Sequence, residues 1–170
     1  MELKELSEKT LQIFQAENIF DLGQKLMESL NNEEKMEAFA ELVGGDLSTD
    51  WLQKIYQYYL ADRKDKKQDY TPKTVAMLMA ALAGGSETTI DLCAGSGALT
   101  IQRWSQNHEQ NFILYEVDEK VIPFLLFNLA VRNISATVYH ADVLQDEVYH
   151  SYKVRKSEKY GNVSDLEPAV

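Results

Sequence analysis

Three carboxylates, Asp91, Glu116 and Asp142, each close an apolar run, and the first leads directly into a small-residue turn, Ala94-Gly95-Ser96-Gly97. Such residues hold a polar ligand; they do not by themselves break a bond. Gly95 and Gly97 can take backbone angles closed to residues with a side chain, which lets a ligand come against the main chain. The segment that follows, Ala98-Leu99-Thr100-Ile101, has helical apolar spacing, and the start of a helix presents amides with no partner inside it. Glu116 stands 21 residues after Gly95 (116 minus 95). A carboxylate about 20 residues beyond the glycines accepts hydrogen bonds from ribose hydroxyls in nucleotide-binding α/β folds. Asp142 follows a third apolar run at the same edge of the inferred sheet, so the three acids are expected in register where open α/β sheets bind ligands.

The glycine count narrows the ligand. A dinucleotide fingerprint needs a third glycine, and Thr100 occupies that place; a phosphate-cradling P-loop needs Gly-Lys-Ser/Thr, which is absent. What remains is D-x-x-x-G-x-G over residues 91–97, a pattern similar to the cofactor loop of S-adenosylmethionine-dependent methyltransferases. The elements that must position it are strands ending at Asp91, Glu116 and Asp142, with helices between them. The apolar run 121–131, interrupted by Asn128, suits a helix buried against the sheet.

Residues 68–145 resemble the amino-terminal half of the catalytic domain of N6-adenine DNA methyltransferases, specifically the modification subunits of type I restriction-modification systems. Four blocks carry the resemblance in matching order and spacing. Gln68-Asp69-Tyr70-Thr71-Pro72-Lys73 is similar to the element ahead of the first strand that closes over the methionine end of the cofactor. Asp91 to Gly97 is similar to the family's Asp-Pro-x-x-Gly-Ser-Gly loop. Tyr115-Glu116-Val117-Asp118, with Phe127-Asn128-Leu129, resembles the second strand and helix, where the acid grips the ribose. Ala141-Asp142-Val143-Leu144 resembles Gly-Asp-x-Leu, whose Asp lies near the cofactor's adenine.

The resemblance therefore implies an α/β fold, a Rossmann-like parallel sheet present in part and preceded by an all-α lobe. It implies S-adenosylmethionine as cofactor, held by Tyr70, Thr71, Pro72, Lys73, Asp91, Ala94, Gly95, Ser96, Gly97, Glu116 and Asp142. The chain departs from the family at Leu92, where Pro is usual, and at Ala141, where Gly is common. The larger departure is that no Asn-Pro-Pro-aromatic segment occurs; the prolines are Pro72, Pro123 and Pro168. That segment holds the flipped-out adenine in the family, and methyl transfer depends on aiming the base nitrogen at the sulfonium methyl. No catalytic residue is assigned, and the chain alone is expected to be inactive. In the family's strand order the next strand, beside the first, comes after Asp142, and residues 146–170 offer no apolar run for it. The missing half is expected from a longer protein, from self-association or from a partner.

Three segments follow: a helical lobe over 1–61, a cofactor-binding part over 62–145 and a polar tail over 146–170, expected as loop. In the lobe, Gly44-Gly45 signals a helix end and Ser48-Thr49-Asp50 the start of the next. Three or four helices are expected, with Trp51, Tyr56 and Tyr59 as core more than as a base-stacking platform. The lobe's analogue in the resembling family helps clamp DNA and contacts the specificity subunit.

The net charge is -10, and residues 1–60 hold 12 acids against 5 bases, which opposes strong independent binding of DNA. Two basic clusters, Arg63-Lys64-Lys66-Lys67 with Lys73 and Lys153-Arg155-Lys156-Lys159, read as solvated faces before they read as phosphate tracks. The single cysteine, Cys93, excludes an internal disulfide and reads as a packing residue; His108, His140 and His150 lack ligand-like spacing, so no metal site is assigned. No stretch reads as a signal or membrane helix, and a cytoplasmic protein is expected. Partners expected from the resemblance are DNA, bound weakly by this chain alone, and a specificity or restriction subunit. A non-catalytic module that acts through protein association is the alternative; a dinucleotide-dependent oxidoreductase is disfavoured by Thr100.

Overall fold

The computed structural model describes residues 1–62, 64–65 and 71–166. Four helices come first: α1 (Leu3–Phe14), α2 (Leu22–Glu28), α3 (Glu33–Leu42) and α4 (Trp51–Tyr59). Each has a local cause. Leu6, Thr10 and Phe14 line one buried face of α1 at four-residue spacing. Asn32 caps α3 by accepting the Lys35 amide, and Asp50 caps α4 by accepting the Gln53 amide at 2.9 Å. The expected α4 start at Ser48-Thr49-Asp50 is where that helix begins. The remaining order is α5 (Lys73–Leu82), β1 (Thr88–Asp91), α6 (Ala98–Gln106), β2 (Asn111–Glu116), α7 (Ile122–Val131), β3 (Ala136–Asp142), β4 (Glu147–Arg155) and β5 (Asn162–Asp165).

The sheet runs β1-β2-β3-β4-β5, parallel across the first three strands and antiparallel across the last two. The fold is the expected α/β arrangement behind an all-α segment, with two corrections. First, the segment expected as a polar tail forms β4 and β5. Its signal was alternation, Val148, His150, Tyr152 and Val154 between polar neighbours, and not an apolar run. Alternation suits a strand with one covered face, and Val154 is fully buried. Second, the acids are staggered and not in register. Asp91 pairs with Leu114 and Glu116 with His140, so each acid projects two residues beyond its neighbour's. The strands begin nearly level but lengthen from 4 to 6 to 7 residues, which makes the edge a staircase.

Strand alternation turns Phe112, Leu114, Ala136 and Val138 to one face, where all are buried. Covering that face is α7, whose residues Ile122 to Val131 are buried apart from Pro123. The helical segment and the sheet then share one core. Phe127 meets Phe14 edge-on at 4.9 Å and Phe39 at 5.4 Å, while Tyr56 meets Phe124 at 5.0 Å. The expected boundary near residue 61 is thus a change of element type across a continuous interior. Tyr56 is core, whereas Tyr58 and Tyr59 are exposed. The other sheet face is only half-covered, with Tyr115 and Tyr139 stacked at 4.9 Å. At its β1 margin, Leu78, Leu82, Ile90 and Leu92 are all exposed. Among the described residues, no helix is long and apolar enough to cross a membrane.

Candidate functional site

The site begins where β1 runs out. The Cys93 amide donates to Asp91 Oδ1 at 3.1 Å, turning the chain. Burial pushes the Asp91 carboxyl above the ordinary aspartate range, against that hydrogen bond. The Ala94 amide then donates to the Tyr115 carbonyl at 2.9 Å, lashing the loop to β2, and the Gly97 amide donates to the Ala94 carbonyl at 2.9 Å. Gly95 and Gly97 have φ of 56° and 98°, and a Cβ built on Gly97 would stand 3.0 Å from Leu125 Cδ1. Only glycine fits the second position on both counts. The next residue opens α6, which has no side-chain cap, so its first amides lie next to the turn without a partner inside the helix.

Glu116 meets this loop directly. Its Oε2 accepts the Gly95 amide at 2.8 Å and its Oε1 accepts the Asp118 amide at 2.8 Å. Expected as a ribose acceptor, it first of all joins the glycine loop to the end of β2. A carboxylate has about four lone-pair sites. Two amides leave capacity for hydroxyl donors on both oxygens.

Asp142 lies at the far end of the staircase. Its Oδ1 accepts the Leu144 and Gln145 amides at 2.9 and 3.2 Å, and its Oδ2 accepts Gln145 Nε2 at 2.8 Å. The turn that it caps presents Leu144 almost wholly to solvent. Tyr70 lies outside the described residues. Pro72 is the N-cap of α5, and Lys73 Nζ donates to Thr49 Oγ1 at 2.7 Å and to Ser48 Oγ at 3.2 Å. Thr71 and Lys73 line a cavity of about 290 Å³ with Asp50, Gln53, Ala98 and Gln102. The structure thus brings the Thr71 to Lys73 block to the start of α6, against the helical segment.

Sequence reasoning missed a buried polar network behind the loop. Ser96 Oγ donates to Asp50 Oδ2 at 2.7 Å. Asn128 Nδ2 donates to Asp50 Oδ1 at 2.9 Å and to the Ser96 carbonyl at 2.8 Å. Arg132 donates to Asn128 Oδ1 at 2.8 Å and to the carbonyls of Leu47, Thr49 and Asn128 at 2.7 to 2.9 Å. Desolvation pushes the Asp50 carboxyl up and brings the Arg132 guanidinium down to about 10. The available signals were a helix-start residue at Asp50 and a lone Asn inside an apolar helix. Neither says that the two touch.

Cys93 is exposed, which corrects its reading as a packing residue, and burial with the nearby Glu116 and Asp91 charges raises its thiol pKa. No group of three His, Cys, Asp or Glu side chains among the described residues is placed to hold a metal. In the second basic cluster, Lys156 pairs with Glu109 at 2.9 Å and Lys159 with Glu37, which uses these lysines to fasten β4 and its following loop. Arg63, Lys66 and Lys67 of the first cluster lie outside the described residues.

No curated protein matches the sequence. Among solved structures, the chain is similar to a Listeria monocytogenes protein named as a class I S-adenosylmethionine-dependent methyltransferase. The identity is 18% and the TM-score 0.46, over 86% of this chain and 55% of that one. The chain spans about half the length of that protein. A family profile described as N-6 DNA methylase matches residues 47–161. That range runs from the turn before α4 to the loop before β5, and it contains the glycine loop, Glu116, Asp142 and the Asp50 network. The chain belongs to the N-6 DNA methylase family, whose methyl donor is S-adenosylmethionine.

Proposed function

We propose that this chain is the cofactor-binding, amino-terminal part of a DNA adenine-N6 methyltransferase, of the kind that serves as modification subunit in type I restriction-modification systems. The observation that carries the reading is the bond from the Gly95 amide to Glu116, which brings the second-strand acid onto the glycine loop. In this reading the loop amides and the Thr71 to Lys73 block receive the methionine end of S-adenosylmethionine. Glu116 takes the ribose hydroxyls, and the turn at Asp142 takes the adenine. Bound there, the cofactor supplies an electrophilic methyl group; the chain's own residues bind and orient it.

The target-base segment comes from elsewhere, from the rest of a longer protein, a second copy or a partner chain. DNA contact, the specificity or restriction subunit and a cytoplasmic setting belong to the same proposal. The net charge of -10 opposes tight DNA binding by this chain alone. A second reading, a non-catalytic module acting by association, draws support from the apolar margin of α5 and β1, where Leu78, Leu82 and Ile90 are exposed.

Photocrosslinking with radiolabelled S-adenosylmethionine tests the site: label is expected in peptides containing residues 71–73, 91–97, 115–118 or 142–145, and label confined outside these segments overturns it. DNA from cells making this chain alone is expected to gain no N6-methyladenine. A gain would overturn the view that the base-holding segment must be supplied.

A further inference from the structure

We infer that Asp50, the N-cap of α4 in the helical layer, is a positioning residue for the cofactor loop, and that anchoring this layer is a condition of cofactor binding; the inference rests on the cofactor reading above. Ser96 lies between two glycines, so it carries the one side chain available at the centre of the turn. It is fully buried, and both its polar ends are taken: the hydroxyl by Asp50 at 2.7 Å and the carbonyl by Asn128 at 2.8 Å. Glu116 holds the neighbouring Gly95 amide from the sheet side. The loop is thus held from two directions, once by β2 and once by residues 46 positions earlier in the chain.

The geometry asks more of residue 50 than capping does. A cap needs one acceptor for the Gln53 amide, and Ser, Thr or Asn supplies it equally well. Asp50 uses both carboxylate oxygens, Oδ1 for Gln53 and Asn128 and Oδ2 for Ser96. Arg132 sets the arrangement. By donating to Asn128 Oδ1 it fixes which end of that amide faces Asp50, and by donating to the Leu47 and Thr49 carbonyls it holds the strand of chain that delivers Asp50. Asp50 lines the cavity beside Thr71 and Lys73, but both its carboxylate oxygens are engaged within the network, so its effect on binding passes through Ser96.

Asp50→Asn separates the two roles. The amide oxygen keeps the cap, while the group facing Ser96 Oγ becomes a donor: the charge-assisted bond from Ser96 is replaced by a neutral N–H···Oγ bond and the hydroxyl proton is left without its acceptor. Titration with S-adenosylhomocysteine is expected to weaken about tenfold in Asp50→Asn and in Ser96→Ala, the scale of one lost charge-assisted hydrogen bond. The double variant is expected to lose about the same tenfold and not a hundredfold, because both changes cut one link. Parent-like affinity in Asp50→Asn, or additive losses in the double variant, overturns the inference. Amide exchange gives a readout independent of ligand: the Gly97 amide is expected to exchange faster in Asp50→Asn while β2 and β3 amides keep parental rates. Unchanged protection at Gly97 also overturns it. Failure of the parent to bind the ligand counts against the cofactor reading, and the exchange result then judges Asp50 alone.

Discussion

The Gly95 amide and the Glu116 carboxylate meet at 2.8 Å, joining the two ends of a β1-to-β2 crossover into one rigid corner. The second Glu116 oxygen turns the chain again by accepting the Asp118 amide. One side chain therefore shapes both the glycine loop and the turn after β2. Glu116→Ala should weaken S-adenosylhomocysteine binding by about 1 to 3 kcal/mol, the scale of charge-assisted hydrogen bonds lost from a partly buried site. Calorimetry on parent and variant measures this directly; equal affinities would remove Glu116 from the site.

Gly97 makes the sharpest steric demand. Its φ of 98° strains any residue with a side chain, and an added methyl would stand 3.0 Å from Leu125 Cδ1, so that side chain would have to give way. Gly97→Ala should cost about 1 to 3 kcal/mol of stability from backbone strain. In urea the midpoint should fall with the slope unchanged. A midpoint equal to the parent's would place the strain elsewhere.

Asp91 gives the folded chain a characteristic pH response. Burial raises its carboxyl pKa, so between the ordinary aspartate value and the raised one the folded state holds more proton than the unfolded state. The unfolding free energy then falls as pH rises through that window, by the linkage relation. Asp91→Asn should remove this contribution, so the difference in stability between variant and parent should shift in the variant's favour on going from the acid side to neutrality. A difference that stays constant with pH would contradict the assignment.

Phe127 stands between the helical layer and the sheet, edge-on to both Phe14 and Phe39. Phe127→Ala should cost about 3 to 5 kcal/mol. More tellingly, tryptophan fluorescence from Trp51 and Trp104 should report the same midpoint as far-UV circular dichroism in the parent, because both layers share one core. Two separate transitions would make the helical segment an independent domain.

The sequence was most readable where a pattern is local. The glycine loop, the acids at strand ends and the α4 cap at Asp50 are each set by a few neighbouring residues, and each appears where the chain predicts. The stagger of the acids was hidden because it comes from strands that begin nearly level but differ in length, and the pairing that reveals this is not specified by residue spacing. Strand β4 was hidden because its charged alternate residues, such as Lys153 and Arg155, dilute the apolar signal from Tyr152 and Val154. The Asp50, Ser96, Asn128 and Arg132 network joins segments up to 85 positions apart. Asp50 reads naturally as a cap, Ser96 as a loop residue and Asn128 as a polar interruption of an apolar helix; only packing brings them together.

The central claim, that this chain carries an S-adenosylmethionine pocket, is tested most directly by calorimetric titration of the 170-residue chain with S-adenosylhomocysteine, with NAD as control ligand. Saturable binding of S-adenosylhomocysteine and no binding of NAD is the predicted result. Binding of NAD in preference, or of neither, would contradict the account.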